Sequence, residues 1–151
     1  MKVHEKLMSI HLEEIQFEIE NLSRGGCGWF AWEVSKRLTE RKIKHKIQIV
    51  AEIEDFDSNA HALNSGYYNL SDEYYWTHFV IRIGDYVLDK DGVCHVDDFS
   101  YGYDYDSKHL FDVRKDRMPK WVREGCWNYY FDQSTVPTLR RKILKAFRDN
   151  W

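Results

Sequence analysis

The sequence predicts an α+β fold in which N-terminal helices, one of them starting at a cysteine, pack on a small antiparallel sheet. Three observations predict it. Apolar residues recur at three- and four-residue steps through 3–22, 27–40 and 138–150, the period of a helix with one buried face. Alternation of period two marks 46–53 and 75–89, the period of a strand. Gly84-Asp85 interrupts the second of these runs, as a tight hairpin turn would. At 151 residues the chain is expected to form a single domain over 1–151 around one core.

The first helix is expected over 3–22, with Leu7/Met8, Leu12, Ile15, Ile19 and Leu22 inward and Glu13, Glu14, Glu18 and Glu20 elsewhere. Ser23-Arg24-Gly25-Gly26 should stop it, because paired glycines disfavour helix and favour turns. A second helix runs from Cys27 to Glu40, with Phe30, Ala31, Val34 and Leu38 buried and Glu33, Lys36 and Arg37 on its wet side. Lys46–Ile53 reads as a strand that buries Ile47, Ile49, Ala51 and Ile53. Residues 54–73 are polar and aperiodic, a long surface loop of the kind that often carries function.

A hairpin follows, Tyr75–Ile83 returning as Tyr86–Asp89. In that register Ile83 faces Tyr86, and His78, Val80, Arg82, Val87 and Asp89 share one face, with Asp89 diagonal to His78. Residues 97–109 read as a Tyr/Asp-rich loop, and Trp127–Phe131 as a strand. The last helix, Thr138–Asn150, opens at Thr135-Val136-Pro137 and turns Leu139, Ile143, Leu144 and Phe147 inward. Its Arg140, Arg141, Lys142, Lys145 and Arg148 form a solvated basic face, or one that meets an acidic partner.

Composition narrows the function. Twenty-two Lys+Arg against 25 Asp+Glu leave a net charge of −3, which argues against nucleic acid as the main partner. With 16% aromatic and 43% hydrophobic residues, the chain has the material for a core that disordered segments lack. No apolar run reaches the length of a membrane span, and the charged start shows no secretory core. Cys27, Cys94 and Cys126 make an odd count without a Cys-x-x-Cys pair. They are expected to be reduced thiols of a cytoplasmic protein.

Cys27 carries the sharpest chemical signal. A helix N-terminus offers partial positive charge and unpaired N–H groups, which lower a thiol's pKa and can hold the oxyanion formed on a carbonyl. Gly25, Gly26 and Gly28 leave room for substrate to approach. A nucleophilic thiolate needs a base, and the base needs a third group to orient it. His78 and Asp89, on neighbouring strands and one face, supply both. The commoner roles of these residue types are a small buried cysteine, a satisfied sheet histidine and a turn aspartate; it is their combination and order that points to catalysis.

Metal and cofactor signals are weak. Cys94, His95, His61 and His78 are potential ligands, but neighbouring Cys94 and His95 on a strand point to opposite faces. Asp89-x-Asp91-Gly92 departs from a calcium loop in its glycine position and lacks the terminal glutamate. No Gly-x-Gly-x-x-Gly or Walker-type loop is present, so no metal and no cofactor is expected. Tyr67, Tyr68, Tyr74, Tyr75, Trp76, Tyr101, Tyr103 and Tyr105 either pack as a lid or form a surface for a peptide, glycan or protein.

Gly25-Gly26-Cys27-Gly28-Trp29-Phe30-Ala31 resembles the cysteine-bearing helix start of papain-like hydrolases. Thr77–Ile83 and Val87–Gly92 resemble that family's His strand and Asp/Asn strand. The order Cys, His, Asp is that of the papain-like and transglutaminase-like group, and the spacings of 51 and 11 residues resemble its compact branches. The resemblance covers about residues 20–95 and leaves a C-terminal extension. It implies a papain-like core and a cysteine-dependent hydrolase or acyltransferase of peptidase or amidase type, acting on a peptide or protein through a thioester. Cys27 would be the nucleophile, His78 the base and later acid, and Asp89 the orienting group. The family's oxyanion-binding glutamine lies six residues before the cysteine. Asn21 stands there, one methylene shorter, and Gln16 is too far back to take its place simply. The alternative is a catalytically silent scaffold that binds a protein through its aromatic loops or basic last helix.

Overall fold

The computed structural model describes residues 1–23, 25–51, 78–124 and 130–151. Helices α1 (Val3–Ser9), α2 (Cys27–Glu40), α3 (Met118–Glu124) and α4 (Val136–Asn150) accompany a five-stranded sheet. The sheet strands are β1 (Lys46–Val50), β2 (His78–Ile83), β3 (Tyr86–Asp89), β4 (Gly92–His95) and β7 (Leu110–Val113), in the order β4-β3-β2-β1-β7 with every neighbour antiparallel. Strands β5 (Ser100–Tyr101) and β6 (Tyr105–Asp106) make a separate small hairpin. The architecture is therefore mixed α+β. Among the described residues no helix is long and apolar enough to cross a membrane.

The sheet has two buried faces. Ile47, Ile49, Phe79, Ile81 and Leu88 face the main core, where Phe30, Ala31, Val34 and Leu38 of α2 meet Leu139, Ile143 and Phe147 of α4. Val50, Val80 and Val87 face the other way and are covered by Phe99 and Tyr105. Side chains that alternate across a strand serve both layers only when each face has cover, and here the β5–β6 hairpin supplies the second cover.

Several expected elements hold. Helix α2 spans Cys27–Glu40 with its four expected apolar residues buried. The β2–β3 hairpin places Ile83 opposite Tyr86. Helix α4 carries Pro137 in its first turn, where a missing N–H costs nothing.

Others are corrected. The expected helix over 3–22 ends at Ser9; His11 adopts a left-handed φ of 53°, and a 3₁₀ segment follows at Leu12–Phe17. Leu7, Leu12, Ile15, Ile19 and Leu22 are buried as expected, whereas Met8 is exposed. Three-residue steps from Leu12 to Ile15 suit a 3₁₀ turn as well as an α-helix, so the apolar period reported burial and left the helix type open. Leu144 is exposed instead of inward. The 97–109 loop contains the β5–β6 hairpin and short 3₁₀ turns at Val96–Asp98 and Ser107–His109. Strand β7 at the sheet edge and helix α3 had no expected counterpart. Tyr130 and Phe131 lie in a turn and a bend, not a strand. The expected loop at 54–73, the ends of the strands at 52–53 and 75–77, and residues 127–129 lie outside the described residues.

The largest correction concerns Glu33, expected on the wet side of α2 and instead 1% exposed. Helix α4 covers it. Arg140 donates from Nε to both carboxylate oxygens at 3.1 Å and from Nη2 at 3.0 Å, and Lys36 Nζ adds a bond at 2.9 Å. Burial pushes the Glu33 carboxyl up, but the bonds and charges of Arg140 and Lys36 outweigh it and hold the pKa below its ordinary value. The basic face of α4 is thus partly engaged in ion pairs with the rest of the chain, since Lys142 also bonds Glu18. Glu33→Gln is expected to lower stability by about 1–3 kcal/mol, because Arg140 and Lys36 lose their anionic partner and a neutral amide makes weaker bonds to them. A carboxylate with a depressed folded pKa stabilises above its unfolded pKa and loses that contribution as pH falls through the folded value. Urea unfolding across the acid range should therefore show a smaller acid-induced loss in Glu33→Gln than in the wild type.

Candidate active site

The site begins with a turn that has no room for a side chain. An added Cβ on Gly26 would lie 2.8 Å from both Leu22 Cα and Leu22 O, so glycine is required for the chain to pass Leu22 and enter α2. The preceding Gly25 has φ 101°, a conformation open to glycine. At the start of α2, Gly26 is the N-cap and makes no side-chain cap hydrogen bond. Cys27, the first residue of α2 and 8% exposed, sits at that end.

His78 opens β2 opposite Val50 of β1 and is 3% exposed. Its Nε2 lies 2.9 Å from Asp89 Oδ2. The other carboxylate oxygen of Asp89 accepts the Asp91 N–H at 2.8 Å, so both oxygens of the carboxylate are held. The His78 ring also interacts with the Cys27 sulfur. The backbone N–H groups of Phe79 and Gly28 also bond the Cys27 sulfur. The structure thus brings together the three residues singled out from the sequence: His78 bonds Asp89 and interacts with Cys27.

The electrostatics of this cluster are those of a charge pair. Burial pushes the Cys27 thiol up, but the bond to His78, its charge, and the Phe79 and Gly28 N–H groups outweigh burial and lower the pKa. Burial likewise pushes His78 down, yet the bonds and charges of Asp89 and Cys27 raise it to about 9. Burial raises Asp89 too, and the His78 bond and charge, the Asp91 N–H and Lys90 bring it below its ordinary value. A buried charge persists only when paired and hydrogen-bonded, and here each group is. Both ring nitrogens of an imidazolium are donors, which suits one carboxylate and one thiolate.

No family model, curated protein or solved structure matches this chain. What the site can do must therefore be read from its own chemistry.

The remaining candidates fall elsewhere. Asn21 adopts a left-handed φ of 58° and its Nδ2 donates to the Tyr130 carbonyl at 2.9 Å. Gln16 Oε1 lies 3.5 Å from Lys90 Nζ, beside the Asp89 turn. Cys94 packs against the Val50–Val80–Val87 cluster, while His95 meets the edge of the Tyr86 ring, on opposite faces of β4. Burial and the Asp89 and Asp98 carboxylates push the Cys94 thiol up, the reverse of Cys27. Among the described residues no group of three or more His, Cys, Asp and Glu could hold a metal ion. His61, Cys126 and the aromatic residues Tyr67, Tyr68, Tyr74, Tyr75 and Trp76 lie outside the described residues.

One neighbour of the site had no particular role in the sequence reading. Tyr101 of β5 stacks on the His78 ring, centroids 4.4 Å apart and planes 4° from parallel. No local period signals that contact, because it depends on the β5–β6 hairpin folding over the second face of the sheet. An NMR titration should find the His78 imidazole protonated at pH 7, with a midpoint near 9. Asp89→Asn should lower that midpoint by about one to two units, since a neighbouring carboxylate favours imidazolium by about that amount.

Proposed function

We propose that the chain is a cysteine-dependent acyl-transfer enzyme, a hydrolase or acyltransferase of peptidase or amidase type, with a papain-like core over about residues 20–95. The observation that carries this reading is the Cys27–His78–Asp89 cluster at a helix N-terminus. The thiolate sulfur attacks the carbonyl carbon of a peptide or protein amide. The oxyanion meets N–H groups at the start of α2, the tetrahedral intermediate collapses to a thioester, and His78 gives its proton to the leaving amine. Water or an amine, deprotonated by His78, then releases the acyl group. Asp89 holds the imidazole ring in the orientation both steps need.

The pH dependence follows from the two shifts. Activity falls on the acid side as the Cys27 thiolate takes a proton, below the ordinary thiol range. It falls on the alkaline side as the His78 imidazolium, at about 9, loses one. A second reading, a silent scaffold that binds protein through its aromatic hairpin or α4, draws on the Asn21 amide's bond to the Tyr130 carbonyl, which leaves the family's oxyanion donor without a clear equivalent.

An activated acyl ester followed by intact-mass and peptide mass spectrometry separates the two. The enzyme reading predicts a transient acyl adduct on Cys27 that turns over, is absent in Cys27→Ala, and forms about 100-fold or more slowly in His78→Ala. A Cys27 that stays unacylated under these conditions would contradict the enzyme reading and favour the scaffold.

A further inference from the structure

His78 bonds Asp89 through Nε2 at 2.9 Å and interacts with the Cys27 sulfur. A hydrogen bond to a ring nitrogen lies near the ring plane and leaves the ring's tilt free. The contact that acts across the plane comes from Tyr101, which is half-buried and packs against the cluster of Val50, Val80, Val87, Phe99 and Tyr105. Two positions further on, Tyr103 is fully exposed. Among the described residues, the charged and titratable groups that face His78 are Cys27 from α2, Asp89 from β3 and Tyr101 from β5. Asp91 reaches Tyr101 as well. Burial, then the negative charges of Cys27, Asp89 and Asp91, push the phenol up, and it stays neutral beside the pair.

An aromatic face presents negative quadrupole charge to a cation and replaces water on that side with an apolar wall. We propose that Tyr101 is a positioning residue whose ring clamps His78 from across the imidazole plane and favours the thiolate–imidazolium form of the Cys27–His78 pair. The ring does this work; the hydroxyl does not. This inference rests on the charge-pair reading that underlies the proposed function.

Two variants separate ring from hydroxyl. Tyr101→Phe keeps the aromatic face; Tyr101→Leu keeps an apolar side chain and removes the face. The readout is the pH midpoint of iodoacetamide alkylation at Cys27, followed by peptide mass spectrometry. Tyr101→Phe should leave the midpoint at the wild-type value, and Tyr101→Leu should raise it by about one unit, the size of a desolvated cation–π contact. A Leu variant that titrates with the wild type, or a Phe variant that moves as far as the Leu variant, would overturn the proposal. Should Tyr101→Leu fail to fold, the His78 ring protons carry the test. In the wild type and Tyr101→Phe they should be shifted upfield by the ring current of the stacked residue, and unshifted resonances would overturn it. An ordinary thiol midpoint in the wild type would instead overturn the charge-pair reading, an outcome distinct from either variant result.

Discussion

The contact between the Cys27 sulfur and the His78 imidazole is the interaction on which the rest of the site depends, because both groups are buried. Removing a thiolate and an imidazolium from water is costly unless each finds partners of fixed geometry. The fold provides them from several elements. Phe79 of β2 and Gly28 of α2 bring N–H groups to the sulfur, and β3 brings the Asp89 carboxylate to Nε2 at 2.9 Å. The turn after β3 ties down the second oxygen of that carboxylate, and β5 lays Tyr101 over the ring. A charge pair so enclosed places opposite demands on its two members, lowering one pKa and raising the other.

Helix α2 gives this arrangement its rigidity. One end is pressed so close to Leu22 that residue 26 has no space for a Cβ. Further along, Glu33 is locked to Arg140 of α4. Ser35 Oγ lies 2.7 Å from His45 Nε2, whose Nδ1 donates to the Ile43 carbonyl at 2.8 Å. Burial lowers the His45 pKa, so that ring stays neutral. Two buried histidines thus have pKa values moved in opposite directions, and their partners account for the difference. His45 has a hydroxyl and a carbonyl, while His78 has a carboxylate and a cysteine sulfur.

What was legible in the sequence was whatever local pattern controls. Paired glycines before an apolar stripe located the start of α2 at Cys27, and Gly84-Asp85 set a hairpin register that put Asp89 within reach of His78. What was not legible depended on distant cover. Glu33 looks solvated on α2 until α4 is laid across it, and Leu144 looks buried until the packing of α4 turns it outward. The left-handed His11 breaks a helix whose apolar spacing continues undisturbed through the break. Tyr101 could be counted among the aromatic residues, but its place over His78 follows from the hairpin's position on the far face of the sheet. Strand β7 pairs with β1 from about sixty positions further along the chain, a relation that no period within either strand encodes.

The central claim is that Cys27 rests as a thiolate paired with imidazolium near neutral pH, and the most direct measurement is its thiolate absorbance in the ultraviolet. This is taken as the difference between wild type and Cys27→Ser over a pH titration. The account predicts thiolate absorbance well below the ordinary thiol midpoint of about 8.5, with the low-pH signal abolished in His78→Ala. A difference spectrum that rises only in the ordinary thiol range, and does so equally with or without His78, would contradict it.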